Sequence, residues 1–219
     1  MYNNILDVKG LKVGQVEDKK GLTGCTVVIC EKGAVCGVDV RGGGPGTRET
    51  DLLNPINMIQ KVHAVVLSGG SAFGLESTCG VSRYLEDNNI GFDVGVAKVP
   101  IVVGAVLFDL AIGNPKSRPN IEMGYKACEV ASDTVLNQGN FGAGCGATVG
   151  KIKGIEYSMK GGIGSHSIKL DNGLVVSALV AVNAFGDVYE NGKVKDWKAY
   201  IKPINDENLE SLFKGEKVD

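Results

Sequence analysis

From Gly139 to Lys151 the chain reads Gly-Asn-Phe-Gly-Ala-Gly-Cys-Gly-Ala-Thr-Val-Gly-Lys. A residue without a Cβ reaches backbone angles closed to the others and lets a second segment come close, at an entropic cost. So much glycine in one place makes physical sense where the backbone itself has to be shaped. The stretch therefore reads as one wall of a site, with a tight structural turn as the plainer alternative. The bias runs through the molecule: 32 of 219 residues are Gly, about double the ~7% of an ordinary chain. These glycines separate apolar β-branched runs and follow no Gly-X-Y period, which excludes collagen and fits poorly with disorder.

The remaining composition is that of a soluble globular protein, with 43% hydrophobic and 22% charged residues. A chain of 219 residues is long enough for a sizeable core, and it is expected to form a single domain. With a net charge of −2 and a pI near 5.8, no basic field invites nucleic acid or an anionic membrane. Met1 to Gly10 has no apolar segment of a targeting signal, and no run reaches membrane-spanning length. The six cysteines form no Cys-x-x-Cys pair, and with only His63 and His166 beside them no zinc-ligand spacing arises. A cytoplasmic protein with reduced thiols, no metal and no cofactor is the expectation.

Apolar patterning places strands over Leu11–Val16, Cys25–Glu31 and Ala34–Val40, the last two joined at Lys32-Gly33 as a hairpin, with Leu22-Thr23-Gly24 as a turn. Arg41 to Thr50 is a glycine loop whose Arg41 and Arg48 could bind an anion, though pairing with Glu49 and Asp51 is the simpler reading. Ala64–Leu67 is a short strand that enters Ser68-Gly-Gly-Ser-Ala-Phe-Gly74. A helix follows over Ser71–Asp87 with Ser71 as N-cap. A strand, glycine turn and helix in that order can aim free N–H groups at an anion, or simply allow close packing. Val94–Leu110, nearly uncharged apart from Lys98 and Asp109, is expected to supply one or two buried strands. Ile121–Leu136 reads as a helix burying Met123, Ala127, Val130 and Ala131, and Leu174–Ala184 as a core strand ending at Asn183. Asp187–Asn191 is a turn, Asn205–Phe213 a short charged helix and residues 214–219 a flexible tail. Few long helical patterns among many strands point to α+β layering rather than a doubly wound parallel sheet.

Several chemistries can be discarded. A phosphate loop ending in Gly150-Lys151 needs Gly where Cys145 stands and Ser or Thr where Ile152 stands. Cys145 could be a nucleophile, but neither histidine lies in a local signature with it, and a cysteine among glycines is more often packing. Lys151 is a cation beside an apolar segment, where it either polarises a neighbour or snorkels at a strand end. The amide of Asn183 either donates to an oxyanion or faces solvent in a turn. No nucleophile with a matched base emerges from these residues.

Taken in order, Thr23-Gly-Cys-Thr26, Asp39-Val-Arg-Gly-Gly43, Pro45-Gly-Thr-Arg-Glu-Thr50, Ser68 to Leu75, Val106-Leu-Phe-Asp-Leu110, Gly139 to Lys151, Lys160-Gly-Gly-Ile-Gly164 and Val180-Ala-Val-Asn183 resemble the DmpA-type self-processing aminopeptidases, which include β-aminopeptidases and nylon-oligomer hydrolases. Each motif alone is weak; the ordered set is specific and covers most of the chain.

The resemblance implies a four-layer αββα sandwich, similar to that of the N-terminal-nucleophile hydrolases. It also implies a precursor that cuts itself before a Thr or Ser, the new N-terminus of a β chain and the nucleophile of amide hydrolysis. The break would fall near Asp219, so that these residues form the large α chain, partnered by the β chain in a tetramer of αβ units. By position, Lys151 matches the lysine near the nucleophile, and Asn183 the asparagine of the oxyanion hole. Phe108 stands where the family has an active-site tyrosine, so one hydroxyl donor is missing. N–H groups of the Gly69-Gly70 turn are a possible replacement, and Gly70, Ser71 and Phe73 are expected to line the substrate pocket. Small peptides, β-peptides or nylon-type oligomers are the implied substrates. A hydrolase using Cys145, or a non-catalytic binding or assembly protein that retains the fold, are the alternatives.

Overall fold

The computed structural model describes residues 1–191 and 193–194. The first strands are β1 (Lys12–Asp18), β2 (Thr23–Ala34), β3 (Thr47–Arg48) and β4 (Val62–Ser68), followed by helix α1 (Ser77–Asp87). Next come β5 (Phe92–Asp93), β6 (Lys98–Val99), β7 (Val102–Val106) and helix α2 (Ile121–Glu129). The last strands are β8 (Thr148–Val149), β9 (Met159–Lys160), β10 (Gly162–Lys169), β11 (Val175–Val182), β12 (Tyr189–Glu190) and β13 (Lys193–Val194).

The main sheet has the order β1-β2-β4-β7-β3 and is antiparallel except where β4 and β7 run parallel. Parallel neighbours need a crossover, and α1 supplies it. Cys25, Val27 and Ile29 of β2, Ala64 and Val66 of β4 and Val102 of β7 meet Val81 and Leu85 of α1 and Ala127 and Cys128 of α2 in the principal core. The helices lie against each other through small residues: a Cβ on Gly80 would stand 1.9 Å from the Ile121 carbonyl oxygen, and one on Gly124 1.9 Å from that of Ser77. Asn120 caps α2, its side chain accepting from the Met123 N–H.

The face of β2 turned away from the helices carries Thr26, whose hydroxyl accepts the Ala143 N–H. The glycine-rich stretch lies there as a 3-10 turn over Gly142–Gly144, and beyond it runs the antiparallel hairpin of β10 and β11. Helices, sheet, glycine wall and a second sheet fragment thus follow one another in layers.

Several local expectations are corrected. Lys32-Gly33 makes no hairpin: β2 continues to Ala34 past an irregularity in its pairing with β4, which Gly33 absorbs at φ +70°. Thr23-Gly24 opens β2 rather than forming a turn. Ser71 does not cap the helix; it stands at φ +54° inside a 3-10 segment Ser71–Glu76 that Gly70 precedes, and Glu76 holds the N-cap position of α1. Of Val94–Leu110, Val102–Val106 joins the main sheet, whereas Val94 and Val96 are exposed. The second helix stops at Glu129 and leaves Val130 exposed, because the chain turns there to bridge Ser132 to Val13 of β1. β11 alternates between half-buried and exposed residues, with Val176, Val180 and Val182 outward, instead of being a core strand. Within the turn expected over Asp187–Asn191, Tyr189–Glu190 form β12 instead, and Asn191 follows it at φ +53°. Arg48 donates to Thr78 Oγ1 and Cys79 Sγ and Arg41 pairs with Asp39, so neither takes Glu49 or Asp51. The helix 205–213 and the tail 214–219 lie outside the described residues.

Candidate active site

Asn183 follows β11 directly, and its amide is gripped from both ends. Oδ1 accepts the Thr148 N–H at 2.9 Å and Lys151 Nζ at 2.9 Å, with Thr148 Oγ1 at 3.3 Å. Nδ2 donates to the Phe108 carbonyl at 2.8 Å. An amide nitrogen carries two hydrogens, and among the described residues Phe108 is the one acceptor this nitrogen meets. The orientation of the amide is fixed by chemistry, since Oδ1 faces donors and Nδ2 faces an acceptor.

Lys151 follows Gly150, whose φ of +72° turns the chain at the end of β8. Its ammonium donates to Thr148 O at 2.8 Å, Asn183 Oδ1 at 2.9 Å and Ala184 O at 3.2 Å. An ammonium has three N–H bonds, and all three are taken by protein oxygens. Burial lowers the pKa of Lys151 from the ordinary lysine value. The arrangement suits a fixed charge that polarises the Asn183 amide, not a proton carrier.

The Gly69-Gly70 turn lies beside the Phe108 segment. Gly69 N–H donates to Gly24 O, Gly70 N–H to Asp109 Oδ1 at 2.6 Å, and Ser71 N–H to Leu107 O. These donors are satisfied inside the protein, so the turn does not offer N–H groups to an oxyanion in place of the missing tyrosine hydroxyl. Gly70 shapes the site through its left-handed conformation, φ +81°. Phe108 and Phe73 are both more than half exposed, and the Arg118 guanidinium lies 3.6 Å above the Phe73 ring. Asn183, Lys151 and Phe108 are therefore directly joined, Gly70 and Ser71 are one hydrogen bond away through Asp109 and Leu107, and Phe73 lies further along the same turn.

Two residues that sequence reasoning did not select stand behind this cluster. Asp109, 3% exposed, accepts Gly70 N–H and the Thr23 hydroxyl, the latter at 2.7 Å, while burial raises its pKa. Lys160 donates to the carbonyls of Cys145 and Ala147, each at 2.7 Å, and burial brings its pKa down to about 8. The sequence signal for Asp109 was its isolation as a carboxylate in an apolar run; Lys160 showed only as the residue before a glycine pair. Cys145 is fully buried, its thiol pushed up to about 12 by desolvation, which removes it as a nucleophile. All six cysteines are free thiols. Among the described residues no His, Cys, Asp and Glu group is placed to hold a metal ion, and no helix is long and apolar enough to cross a membrane.

Known proteins resemble this chain in sequence and in fold. The chain is 42% identical over 210 residues to an uncharacterized aminopeptidase of Mycobacterium leprae, covering 89% of this chain and 56% of that protein. It is 34% identical over 146 residues to a 6-aminohexanoate-oligomer endohydrolase of Kocuria sp., covering 67% of this chain and 39% of the relative. Its fold resembles a Burkholderia sp. β-aminopeptidase, with a TM-score of 0.62 at 22% identity over 85% of this chain and 53% of that one. It also resembles the L-aminopeptidase D-Ala-esterase/amidase of Ochrobactrum anthropi, described as a variant of the Ntn hydrolase fold, with a TM-score of 0.63 at 19% identity, covering 83% of this chain and 53% of that one. At these identities the structural likeness is one of fold, and it agrees with the expected α+β sandwich class. The chain spans little more than half the length of the curated mycobacterial aminopeptidase it matches. With residues 3–203 matching its sequence profile, the chain belongs to peptidase family S58.

Proposed function

We propose that this chain is the α part of an N-terminal-nucleophile amidohydrolase, an aminopeptidase-like enzyme whose Thr or Ser nucleophile lies on a β chain released from the same precursor. The observation that carries this reading is the Asn183 amide, its Oδ1 fixed on Lys151 and the Thr148 N–H while Nδ2 keeps a hydrogen to give. A donor held in advance where charge develops in the transition state typically contributes about 10²- to 10³-fold in kcat. Hydrogen bonds in series polarise one another, so the Lys151 charge on Oδ1 strengthens Nδ2 as a donor.

In this scheme the β-chain hydroxyl attacks the amide carbonyl with its own α-amine as base, Asn183 Nδ2 stabilises the tetrahedral oxyanion, and Lys151 holds Asn183. Phe108, Ser71 and Phe73 form the substrate wall, with Gly70 shaping the turn between them. Phe108 lacks the hydroxyl of the tyrosine expected there, and its bare ring favours apolar groups next to the scissile bond. Small peptides, β-peptides and nylon-type oligomers are the substrate classes proposed from the relatives. The outward apolar residues Val176, Val180 and Val182 of β11 support cover by a further chain, here the β chain within a tetramer of αβ units. Buried Cys145 speaks against thiol catalysis.

Intact-mass spectrometry of the full-length expressed precursor, followed by assays on amino-acid amides, β-peptides and 6-aminohexanoate oligomers, tests the proposal. Expected are a second chain beginning with Thr or Ser and hydrolysis of at least one amide class. A precursor that stays uncut and inactive after long incubation overturns the proposal.

A further inference from the structure

Asp109 is a buried carboxylate that the proposed reaction does not use, and no ion pair is formed with it among the described residues. Burying a charge that no cation touches directly is expensive, and the buried ammonium of Lys160 acts on this one only through space, so its contacts need an explanation. Oδ1 accepts Gly70 N–H at 2.6 Å and Oδ2 accepts the Thr23 hydroxyl at 2.7 Å, which ties the glycine turn to the start of β2. The residue before it is Phe108, whose carbonyl receives Asn183 Nδ2 at 2.8 Å. On its other side it abuts the glycine wall, where a Cβ on Gly146 would stand 2.6 Å from both Asp109 Cβ and Asp109 Oδ2. Two residues beyond Gly146 is Thr148, whose N–H holds Asn183 Oδ1 at 2.9 Å. One carboxylate thus braces both backbone segments that grip the Asn183 amide.

We propose that Asp109 is a positioning residue for Asn183: clamped between Thr23, Gly70 and Gly146, it sets the separation between the Phe108 carbonyl and the Thr148 N–H and so aims Nδ2. This rests on the functional reading above for its catalytic consequence, but its geometric claim does not. The role needs a planar group with two hydrogen-bonding atoms, not a charge. In Asp109→Asn, Oδ1 still accepts Gly70 N–H, and the amide nitrogen donates to a rotated Thr23 hydroxyl. Asp109→Ala leaves the Gly70 N–H unpaired, and Thr23→Val removes the other hydrogen bond with little change of shape.

The test uses the full-length processed protein and an amino-acid p-nitroanilide, with hydrogen exchange of the peptide containing Thr148 followed by mass spectrometry. Asp109→Ala should lower kcat about tenfold or more with KM within about threefold, Thr23→Val less so, and Asp109→Asn should keep kcat within about threefold. In an Asn183→Ala background, Asp109→Ala and Thr23→Val should each add less than about twofold, because they act through the residue already removed. Exchange at Thr148 should quicken in Asp109→Ala and Thr23→Val while the peptides of α1 and α2 stay unchanged. Full multiplication of the losses in the double variants, or unchanged kcat and unchanged Thr148 exchange in Thr23→Val, overturns the proposal. If the parent protein hydrolyses no amide, the functional reading fails by itself, and Thr148 exchange still decides whether Asp109 positions Asn183.

Discussion

Lys151 Nζ lies 2.9 Å from Asn183 Oδ1, and the other two N–H bonds of the ammonium are taken by the carbonyls of Thr148 and Ala184. The cation therefore acts on the amide and not on solvent, and Asn183 becomes the donor to test first. Asn183→Ala should lower kcat about 10²- to 10³-fold with KM little changed, the signature of a contact made chiefly in the transition state. Asn183→Asp is the sharper variant. Its carboxylate forms an ion pair with Lys151 and accepts the Thr148 N–H, but has no hydrogen for an oxyanion and faces the Phe108 carbonyl with a lone pair. Steady-state kinetics should show it at least as impaired as Asn183→Ala.

Lys151→Met should lower kcat about tenfold, less than loss of Asn183 itself, because the Thr148 N–H still holds Oδ1. Burial lowers the Lys151 pKa, so the charge is lost on the alkaline side sooner than for an exposed lysine. With the sign followed through, the polarising charge is complete below that lowered pKa and disappears as pH rises through it. The parent's kcat should therefore carry a descending alkaline limb that the Met variant lacks. A pH–rate profile of the two proteins reads this directly.

The glycine wall gives a purely steric prediction. At Gly146 a Cβ would lie 2.2 Å from the Leu22 carbonyl oxygen and 2.6 Å from Asp109, all inside the fold, whereas at Gly164 the nearest atom is Gln138 Oε1 at 3.7 Å. Gly146→Ala should destabilise by about 1–3 kcal/mol or more, and Gly164→Ala should be nearly neutral. Urea unfolding of both variants makes the comparison, and equal losses would remove close approach as the reason for glycine in the wall.

Strong local patterns were legible in the sequence: the strand expected over Ala64–Leu67 lies within β4, and a helix follows its glycine turn and ends at Asp87. The misplacements have particular causes. Gly33 reads as a hairpin turn but sits in a bulge, because β2 has partners on both sides and one positive φ is easier to absorb than a reversal. Val176, Val180 and Val182 read as core because hydrophobicity is visible in a sequence and the identity of the covering surface is not. At the candidate site, Lys151 and Asn183 were named from resemblance, and their mutual hydrogen bond came from the fold. Asp109 and Lys160 escaped notice since a buried charge looks like an exposed one until its neighbours are in place.

Lys160 supplies a prediction about stability rather than turnover. It donates to the Cys145 and Ala147 carbonyls, and burial brings its pKa from 10.5 down to about 8. The folded protein therefore releases this proton about 2.5 pH units before the unfolded chain does. Between these values the unfolded state binds more protons, so stability rises with pH. Below about 8 both states carry the charge and the full penalty of burying it is present; above 10.5 it is gone. At about 1.4 kcal/mol per unit, the gain is on the order of 3 kcal/mol at most. A neutral amine still has two N–H bonds, enough for both carbonyls, so deprotonation removes the charge without unmaking the contact. Lys160→Met cancels the effect while leaving every other titrating group in place. The unfolding free energy of the parent minus that of Lys160→Met should therefore climb from pH 7.5 to 9.5, and a flat or falling difference would show that the ammonium end of Lys160 is solvated rather than enclosed by the wall.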